Sequence, residues 1–424
     1  MAEIKSFRGM RYTKKAGDMS SLVCPPYDVI SEEERREYLS CNEYNIIRLE
    51  LPKEGEDPYE TAGETLNEWL CDGILATDDK ERLYVYEEEF EDKGRRLSFK
   101  GIITLVKLEE FSKGIILPHE ETLPKAKADR FNLMMATGCN FSQIYSLYID
   151  EKNTTQSYIE KISSGVPEVC ITDASGVIHR LWSTADKDII SAVMSDFSER
   201  RLYIADGHHR YETAINYRNT LRELGKSKQG DNADYVMMTL VDLNSPGLVV
   251  YPTHRVIHDA DNFSARDIRE KSAEYFNIES DLPKQKALSL LDKAYSNGKK
   301  AFIFYSGGRF DLFTLKDFDR ACNENKDICR EVMQLDVSVL HRLVLENVMK
   351  IDAARIADQT NIIYTRDIDE AVALADKGAD CAFIMNPTRI SQIRDVANIG
   401  KKMPQKSTYF YPKLITGLVM NKIV

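Results

Sequence analysis

The sequence predicts a fold that combines helices and strands, in the α/β (α+β) class. Three observations support this prediction. Short apolar runs with strand character alternate with amphipathic segments from one end of the chain to the other. No internal repeat or low-complexity tract interrupts this alternation. The apolar fraction is 43% and the charged fraction is 29%, which are ordinary values for a globular protein. Collagen, coiled-coil arrays and wholesale disorder are therefore excluded.

The chain has 424 residues, which suggests about two or three domains. We expect an N-terminal α/β region at 1–112, a central core at 113–260 and a C-terminal α/β region at 261–424. In the first region, Asp57 and Pro58 are a typical helix cap and first-turn residue, so a helix is predicted from Pro58 to Trp69. Strands at 82–90 and 97–108 are predicted to form a hairpin around a turn at 91–94.

Further elements are predicted in the other two regions. A helix at 125–137 should end at Gly138, and a strand at 202–205 should lead through Asp206-Gly207 into a long helix at 208–224. The C-terminal region should contain a helix at 337–348 and then a β-α-β-α run between 362 and 399. The candidate site residues described below lie at the ends of predicted strands.

Charge and cysteine content exclude several classes of function. The chain has 57 Lys and Arg against 68 Asp and Glu, a net charge of −11, whereas proteins that grip nucleic-acid phosphates usually have a basic surplus. Any anion site must therefore be a local basic pocket. None of the eight cysteines forms a C-x-x-C pair, so we expect reduced, mostly buried thiols in a cytoplasmic protein. No signal peptide and no membrane span are predicted.

The most informative segment places five residues at a strand-to-helix junction: Asp206, Gly207, His208, His209 and Arg210. The first N–H groups of a helix and its dipole favour an anion at such a junction. Glycine lets the backbone approach a ligand, and arginine can grip phosphate oxygens in a bidentate manner. Alternatively, Asp206 is only a helix cap and the histidines are solvated first-turn residues. Two histidines and an arginine together favour an anion site.

This segment resembles the phosphate loop of the ParB/sulfiredoxin superfamily, G-x-x-R-x-x-A, with Gly207, Arg210 and Ala214 in place if one inserted residue is allowed. Within that superfamily it is most similar to the SerK-like (free serine kinase-like) proteins, which read D-G-H/T-H-R here. Their second hallmark, P-H-E-E, matches residues 118–121. Further segments resemble a large bacterial and archaeal family that is usually placed with the SerK-like proteins: 25–29, 45–50, 129–130, 252–255 and 403–408.

The resemblance offers three activities. Sulfiredoxins have a nucleophilic cysteine where this chain has His208, and a histidine cannot replace the thiolate. ParB clamps also contain a DNA-reading helix-turn-helix, which the net charge of −11 argues against. Kinase chemistry remains. The leading hypothesis is a nucleotide-dependent kinase, a phosphotransferase with an alcohol acceptor such as free L-serine or a similar hydroxylated metabolite. The alternative is a ParB-type nucleotide switch without an acceptor, and a pure scaffold would leave the histidine–arginine cluster unexplained.

The resemblance implies roles for individual residues. Glu120 would be the general base, with Glu121 as the next candidate, and Asp206 would hold Mg²⁺ or orient a histidine. His209 would join them in the catalytic group. Gly207, His208, Arg210 and His119 would bind the nucleotide phosphates, and the donor would be ATP or ADP. We expect His208, His209, Arg210 and Glu120 to line one pocket.

Three weaker candidates for phosphate or substrate binding remain open. Arg130 either faces the site or pairs with a surface carboxylate. His254 and Arg255 form either a second cationic wall or an ordinary exposed turn. Lys406 and Ser407 are either phosphate contacts or part of a structural strand. The expected partners are a nucleotide and a small molecule, with no nucleic acid and no membrane. The sequence does not choose among ATP, ADP and CTP, and it leaves the oligomeric state open.

Overall fold

A computed structural model describes residues 1–120 and 124–424, except for the side chains of 124–126 and 357. The described residues group into two compact units. The first unit contains 1–118, 124–249 and 412–424, and the second contains 119–120 and 250–411. The N-terminal and central regions expected from the sequence therefore share one unit. The three-region division itself stays a prediction.

The first unit is built on a mixed sheet with nine strands among the described residues. Ile4–Lys5 pairs with Arg95–Lys107 beside the main path. In spatial order the other strands are Ile116–Leu117, Leu202–Asp206, Ile144–Tyr148, Tyr235–Asp242, Arg95–Lys107, Leu83–Asp92, Ile178–Thr184 and Val169–Thr172. Two short strand pairs lie apart from this sheet, Met10–Tyr12 with Leu75–Thr77 and Cys139–Asn140 with Asn421–Lys422.

The predicted hairpin is confirmed, with strands Leu83–Asp92 and Arg95–Lys107. Lys93 and Gly94 both have positive φ, 49° and 74°, as a two-residue hairpin loop with the matching twist requires. The strand Tyr235–Asp242 is buried along almost its whole length because it pairs on both sides.

Helices cover this sheet, and their ends follow local sequence signals. The helix Pro58–Cys71 begins as predicted, because the Asp57 carboxylate accepts hydrogen bonds from the N–H groups of Tyr59 and Glu60. The α-helices of this unit are Glu32–Cys41, Ile47–Glu50, Pro58–Cys71, Pro124–Thr137, Thr154–Ile162, Lys187–Phe197 and His208–Glu223. Short 3-10 turns are Lys14–Ala16, Met19–Ser21, Tyr27–Val29, Phe111–Lys113 and Asn232–Asp234.

The second unit has its own sheet. In spatial order its strands are Phe276–Leu282, Arg309–Leu315, Ala301–Ser306, Cys381–Met385, His254–Ile257 and Ile362–Thr365. Phenylalanines from neighbouring strands pack against one another on it, with the Phe302 and Phe313 rings 5.5 Å apart. A short ribbon pairs Val249–Tyr251 with Tyr409–Tyr411.

Helices of the second unit include one irregular segment. The predicted helix at 337–348 is divided into an α-helix, Asp336–Leu340, and a π-helical turn, His341–Glu346. A π turn widens the helix by one residue and is frequent at functional sites. The remaining α-helices are Ala265–Ser272, Lys284–Ser296, Phe318–Glu324, Arg330–Met333, Ala353–Ala357, Ile368–Asp376 and Ile390–Asn398.

The observed architecture confirms the predicted α/β (α+β) class. All eight cysteines are free thiols, as expected, but only Cys24, Cys139 and Cys381 are buried. The expectation of mostly buried thiols is therefore wrong, because most cysteines lie on solvated elements. Among the described residues, no helix combines the length and the apolar character needed to cross a bilayer.

Candidate functional site

The strand-to-helix junction of the first unit is confirmed. The strand Leu202–Asp206 ends at Asp206, and the helix His208–Glu223 begins one residue after Gly207. Gly207 has φ of +94°, a left-handed conformation that side chains rarely adopt. A Cβ atom there would lie 3.0 Å from the Nε of Arg210. Only glycine therefore brings the backbone and this guanidinium so close together.

The Asp206 carboxylate lies between two cations. Its Oδ1 accepts a hydrogen bond from Lys413 Nζ at 2.5 Å, and its Oδ2 accepts one from Arg210 at 2.7 Å. Burial raises the pKa of Asp206, but Lys413 and Arg210 outweigh this effect and hold it well below the usual range. The helix is capped by Gly207, so the alternative role of Asp206 as the N-cap is wrong.

Arg210 is held firmly in the first helical turn. It donates one hydrogen bond to the carbonyl oxygen of Gln143 at 2.6 Å and one to Asp206, and its side chain is only 12% exposed. Burial lowers the pKa of Arg210, but the nearby Asp206 and Asp28 carboxylates raise it above the ordinary value. His208 is 4% exposed and His209 is half-buried. The alternative that the two histidines are solvated surface residues is therefore wrong.

Arg130 lies in the interior of the same unit. Its Nε donates to Asp129 at 2.7 Å, a second nitrogen donates to the carbonyl oxygen of Glu50 at 2.7 Å, and its guanidinium covers the Tyr27 ring at 3.9 Å. Arg130 and Arg210 both line a cavity of about 30 Å³. Arg130 thus pairs with the part-exposed carboxylate of Asp129, as one of its two alternatives predicted, and its role in the proposed site stays a prediction.

Sequence reasoning missed four charged or aromatic residues of this cluster, which are Tyr27, Asp28, Glu50 and Lys413. Glu50 is 2% exposed, burial raises its pKa, and its Oε1 accepts no hydrogen bond from the described residues. The first three lie in segments that resemble the larger family, which was the available signal. Nothing in the local sequence marks Lys413, because it is 207 positions from Asp206.

His119 and Glu120 of the P-H-E-E motif lie in the second unit, against the segment that follows Met403. Met403 N–H donates to the carbonyl oxygen of His119 at 2.8 Å. The His119 Nε2 lies 3.0 Å from the Thr408 hydroxyl, and the Lys406 N–H donates to Glu120 Oε1 at 3.1 Å. Two segments that both resembled the family thus hold each other in place. Glu121 lies outside the described residues.

Arg255 is almost completely buried, at 2% exposed, so the alternative of an exposed turn is wrong. It donates to the carbonyl oxygens of Thr253, Gln405 and Lys406, the last at 2.9 Å. Burial lowers the pKa of Arg255 to about 10. Burial and the neighbouring guanidinium lower the pKa of His254 to about 4. His254 is therefore neutral, and its Nδ1 accepts from the Met385 N–H at 3.1 Å.

Lys406 and Ser407 form a turn before the strand Tyr409–Tyr411. Lys406 has φ of +53° and is exposed. The Ser407 hydroxyl donates to the carbonyl oxygen of Pro404 at 2.5 Å, so in this position it stabilises the turn. The alternative of a structural strand is wrong for both residues.

The predicted site residues thus form two groups. The first unit contains Arg130, Asp206, Gly207, His208, His209 and Arg210, and the second contains His119, Glu120, His254, Arg255, Lys406 and Ser407. The expectation that Glu120 and Arg210 line one pocket stays a prediction, because they belong to different units.

The donors at Asp206 do not fit a magnesium ion held by the protein. Both carboxylate oxygens already bind cations, Lys413 and Arg210. Across the described residues no group of three or more His, Cys, Asp or Glu side chains could hold a metal ion. Magnesium usually needs one or two free carboxylates together with phosphates. The assignment of Asp206 as a metal ligand is therefore unsupported here.

The chain belongs to the family described as "Protein of unknown function (DUF1015)", whose family model matches residues 4–338. No curated protein matches the chain. The likeness to a SerK-like protein and to the ParB/sulfiredoxin superfamily stays a prediction from the two motifs.

Three solved structures give low-scoring matches. A conserved hypothetical protein from Pyrococcus furiosus has a TM-score of 0.36 and 13% identity, over 75% of this chain and 95% of that one. A free serine kinase in complex with AMP has a TM-score of 0.36 and 12% identity, over 75% and 92%. SbnI with a C-terminal truncation, from Staphylococcus aureus, has a TM-score of 0.35 and 12% identity, over 76% and 87%. Matches with such low TM-scores support no functional argument, so the proposals below are argued from the candidate site alone.

Proposed function

We propose that this protein is a nucleotide-dependent kinase that transfers a phosphoryl group from ATP or ADP to a hydroxylated small molecule such as free L-serine. The observation that carries the proposal is the junction at Gly207, where a left-handed glycine brings Arg210 against the start of a helix. Phosphoryl transfer depends mainly on positioning and on charge stabilisation, and this junction supplies both.

The nucleotide phosphates are proposed to bind at the start of the helix His208–Glu223. This helix has 16 residues, so its dipole and its first N–H groups favour an anion. Arg210 needs little reorganisation to act there, because Gln143 and Asp206 already fix its guanidinium. The rigid anchoring lowers the entropy that would be lost on binding. His208 and His209 add donors from the same turn.

The acceptor hydroxyl is proposed to lose its proton to Glu120. Glu120 occupies the first glutamate position of the P-H-E-E motif that resembles the SerK-like proteins, and this match supports the role. The Lys406 N–H holds one oxygen of Glu120, and the other oxygen is proposed to accept the proton.

The proposal is tested with the purified full chain, Mg²⁺ and each of ATP, ADP and CTP, against a panel of free amino acids that includes L-serine and L-alanine. Mass spectrometry and ³¹P NMR detect a phosphorylated product. We expect nucleotide consumption that depends on a hydroxylated acceptor, with L-alanine inactive because it lacks the hydroxyl. Nucleotide hydrolysis that no acceptor stimulates would instead indicate the regulatory switch.

A further inference from the structure

A cavity of about 410 Å³ lies within the second unit, apart from the residues proposed for phosphoryl transfer. This volume is in the range of sites that hold small metabolites. Its walls are largely apolar, and one side is formed by the irregular helix that contains the π turn His341–Glu346. The apolar lining residues are Ile328, Val332, Ala353, Ile356, Met403 and Pro404.

A buried positive charge, that of Arg255, lies next to a residue that lines this cavity. Arg255 makes no ion pair with a carboxylate anywhere in the described part of the chain, and its hydrogen bonds all go to backbone carbonyls. One of those carbonyls belongs to Gln405, which lines the cavity. A buried charge without a counter-ion is costly, because desolvation is not compensated. Arg255 therefore retains a positive charge that no carboxylate of the described residues offsets.

The charged groups of the cavity wall balance one another. His341 lines the cavity and is 6% exposed, and burial together with Arg255 lowers its pKa to about 3, so the imidazole is neutral. Arg342 pairs with both Glu346 and Asp327, at 2.7 Å each, which leaves this group with one surplus negative charge. Lys402, which is exposed on the lining, offsets that charge.

We propose that this cavity binds a small organic anion, with its apolar body against the aliphatic walls and its carboxylate or phosphate group toward Lys402 and Arg255. Arg255 and Lys402 lack a carboxylate partner among the described residues, so an anionic ligand is favoured over a neutral one. A bare inorganic anion is disfavoured, because it would leave the apolar walls in contact with water. The proposal does not depend on the proposed kinase activity.

The test uses the full chain and calorimetric titration with matched probes. Hexanoate and hexyl phosphate are the anionic probes, hexanamide is the neutral probe and inorganic phosphate is the probe without an apolar body. We expect at least one of the two six-carbon anions to bind at least tenfold more tightly than both hexanamide and inorganic phosphate. The comparison of hexanoate with hexyl phosphate identifies the head group. Equal affinity for hexanamide would overturn the proposal, and so would the absence of any binding.

Two variants locate the binding. Lys402→Gln should weaken anion binding several-fold without loss of the fold, because Lys402 is exposed, while Lys286→Gln removes an exposed lysine elsewhere in this unit and should have no effect. Val332→Trp should fill the cavity and abolish binding. If Val332→Trp fails to fold, the two lysine variants still decide. Unchanged affinity in Lys402→Gln would show that the anion binds elsewhere.

Discussion

Lys413 donates a hydrogen bond to Asp206 at 2.5 Å, although 207 positions separate the two residues in the sequence. Arg210 binds the other oxygen of the same carboxylate, so the C-terminal segment helps to fix Arg210. The loop that the sequence marks as one short motif is thus completed by a residue close to the end of the chain.

Lys413→Met should destabilise the first unit by about 1.5–3 kcal/mol at pH 7, the usual size of a hydrogen bond to a charged group. The pKa of Asp206 is lowered in the folded state, so its contribution is present above the unfolded pKa and is lost as the pH falls. Denaturant unfolding at pH 7 and at about pH 3, below the unfolded pKa of about 3.9, measures this loss, with exposed Lys161→Met as the control. Equal stability of Lys413→Met and wild type would show that the ion pair contributes nothing.

Gly207→Ala should lower both stability and nucleotide affinity. The left-handed conformation costs a non-glycine residue about 1–2 kcal/mol, and the new methyl group would press against Arg210. Gly225→Ala is the matched control, since Gly225 also has positive φ, +68°, but a Cβ there would meet no atom of the described residues within 4 Å. Thermal unfolding and nucleotide titration of both variants should show a binding defect for Gly207→Ala alone; the same defect in both would count against the loop.

Arg210→Ala should weaken nucleotide binding by about 1.5–3 kcal/mol, because it removes charge-assisted hydrogen bonds to phosphate. Stability should fall as well, since Asp206 would keep only Lys413 as its buried cation. The Arg210 side chain is only 12% exposed, so its loss also removes buried contacts. Calorimetric titration on protein shown to be folded by circular dichroism measures affinity. Unaltered affinity would remove this loop from the proposed site.

Glu120→Gln should reduce acceptor phosphorylation about 100- to 10,000-fold while nucleotide binding persists, because the amide cannot accept the proton. The amide oxygen can still accept the hydrogen bond from the Lys406 N–H, so the turn should be preserved. Asp206→Asn is the comparison and should lose stability as well as activity, because two cations lose their carboxylate. Near-normal turnover in Glu120→Gln would show that Glu120 is not the general base, and Glu121 would then be the next candidate.

Asp336 should make the second unit less stable as the pH rises. Burial raises the pKa of Asp336 to about 6, although the Asn386 amide donates to its carboxylate at 3.0 Å. A carboxyl group with a raised folded-state pKa contributes its stability below the unfolded pKa of about 4 and loses it as the pH rises through 6. The loss should be about 1–3 kcal/mol after allowance for solvent screening.

The measurement compares the pH dependence of unfolding between pH 4 and pH 7 for wild type and Asp336→Asn. The difference between the two proteins isolates Asp336 from the buried His254 and His341, whose lowered pKa values give a pH dependence of the opposite sign. Asp292→Asn, at an exposed position of the same unit, should leave the profile unchanged. Parallel profiles for wild type and Asp336→Asn would show that Asp336 does not titrate in this range.

Local signals predicted the local structure well. The cap at Asp57 and the turn at Lys93-Gly94 depend on interactions between residues that are neighbours in the chain, so the sequence contains the whole cause. The junction at Gly207 was predictable for the same reason. The π turn at His341–Glu346 was not, because helix width is decided by packing against neighbours rather than by the apolar spacing of the helix itself.

The sequence by itself determined the α/β class, the position of the strand-to-helix junction at Gly207 and the choice of Arg210 and Glu120 as candidate site residues. Only the tertiary structure decided that Lys413 and Arg210 share the Asp206 carboxylate, that Arg130 lies over Tyr27, and that Arg255 is buried without a carboxylate partner among the described residues. Charge and burial depend on which distant segments come together. Those contacts follow from strand order and packing, which no local spacing specifies.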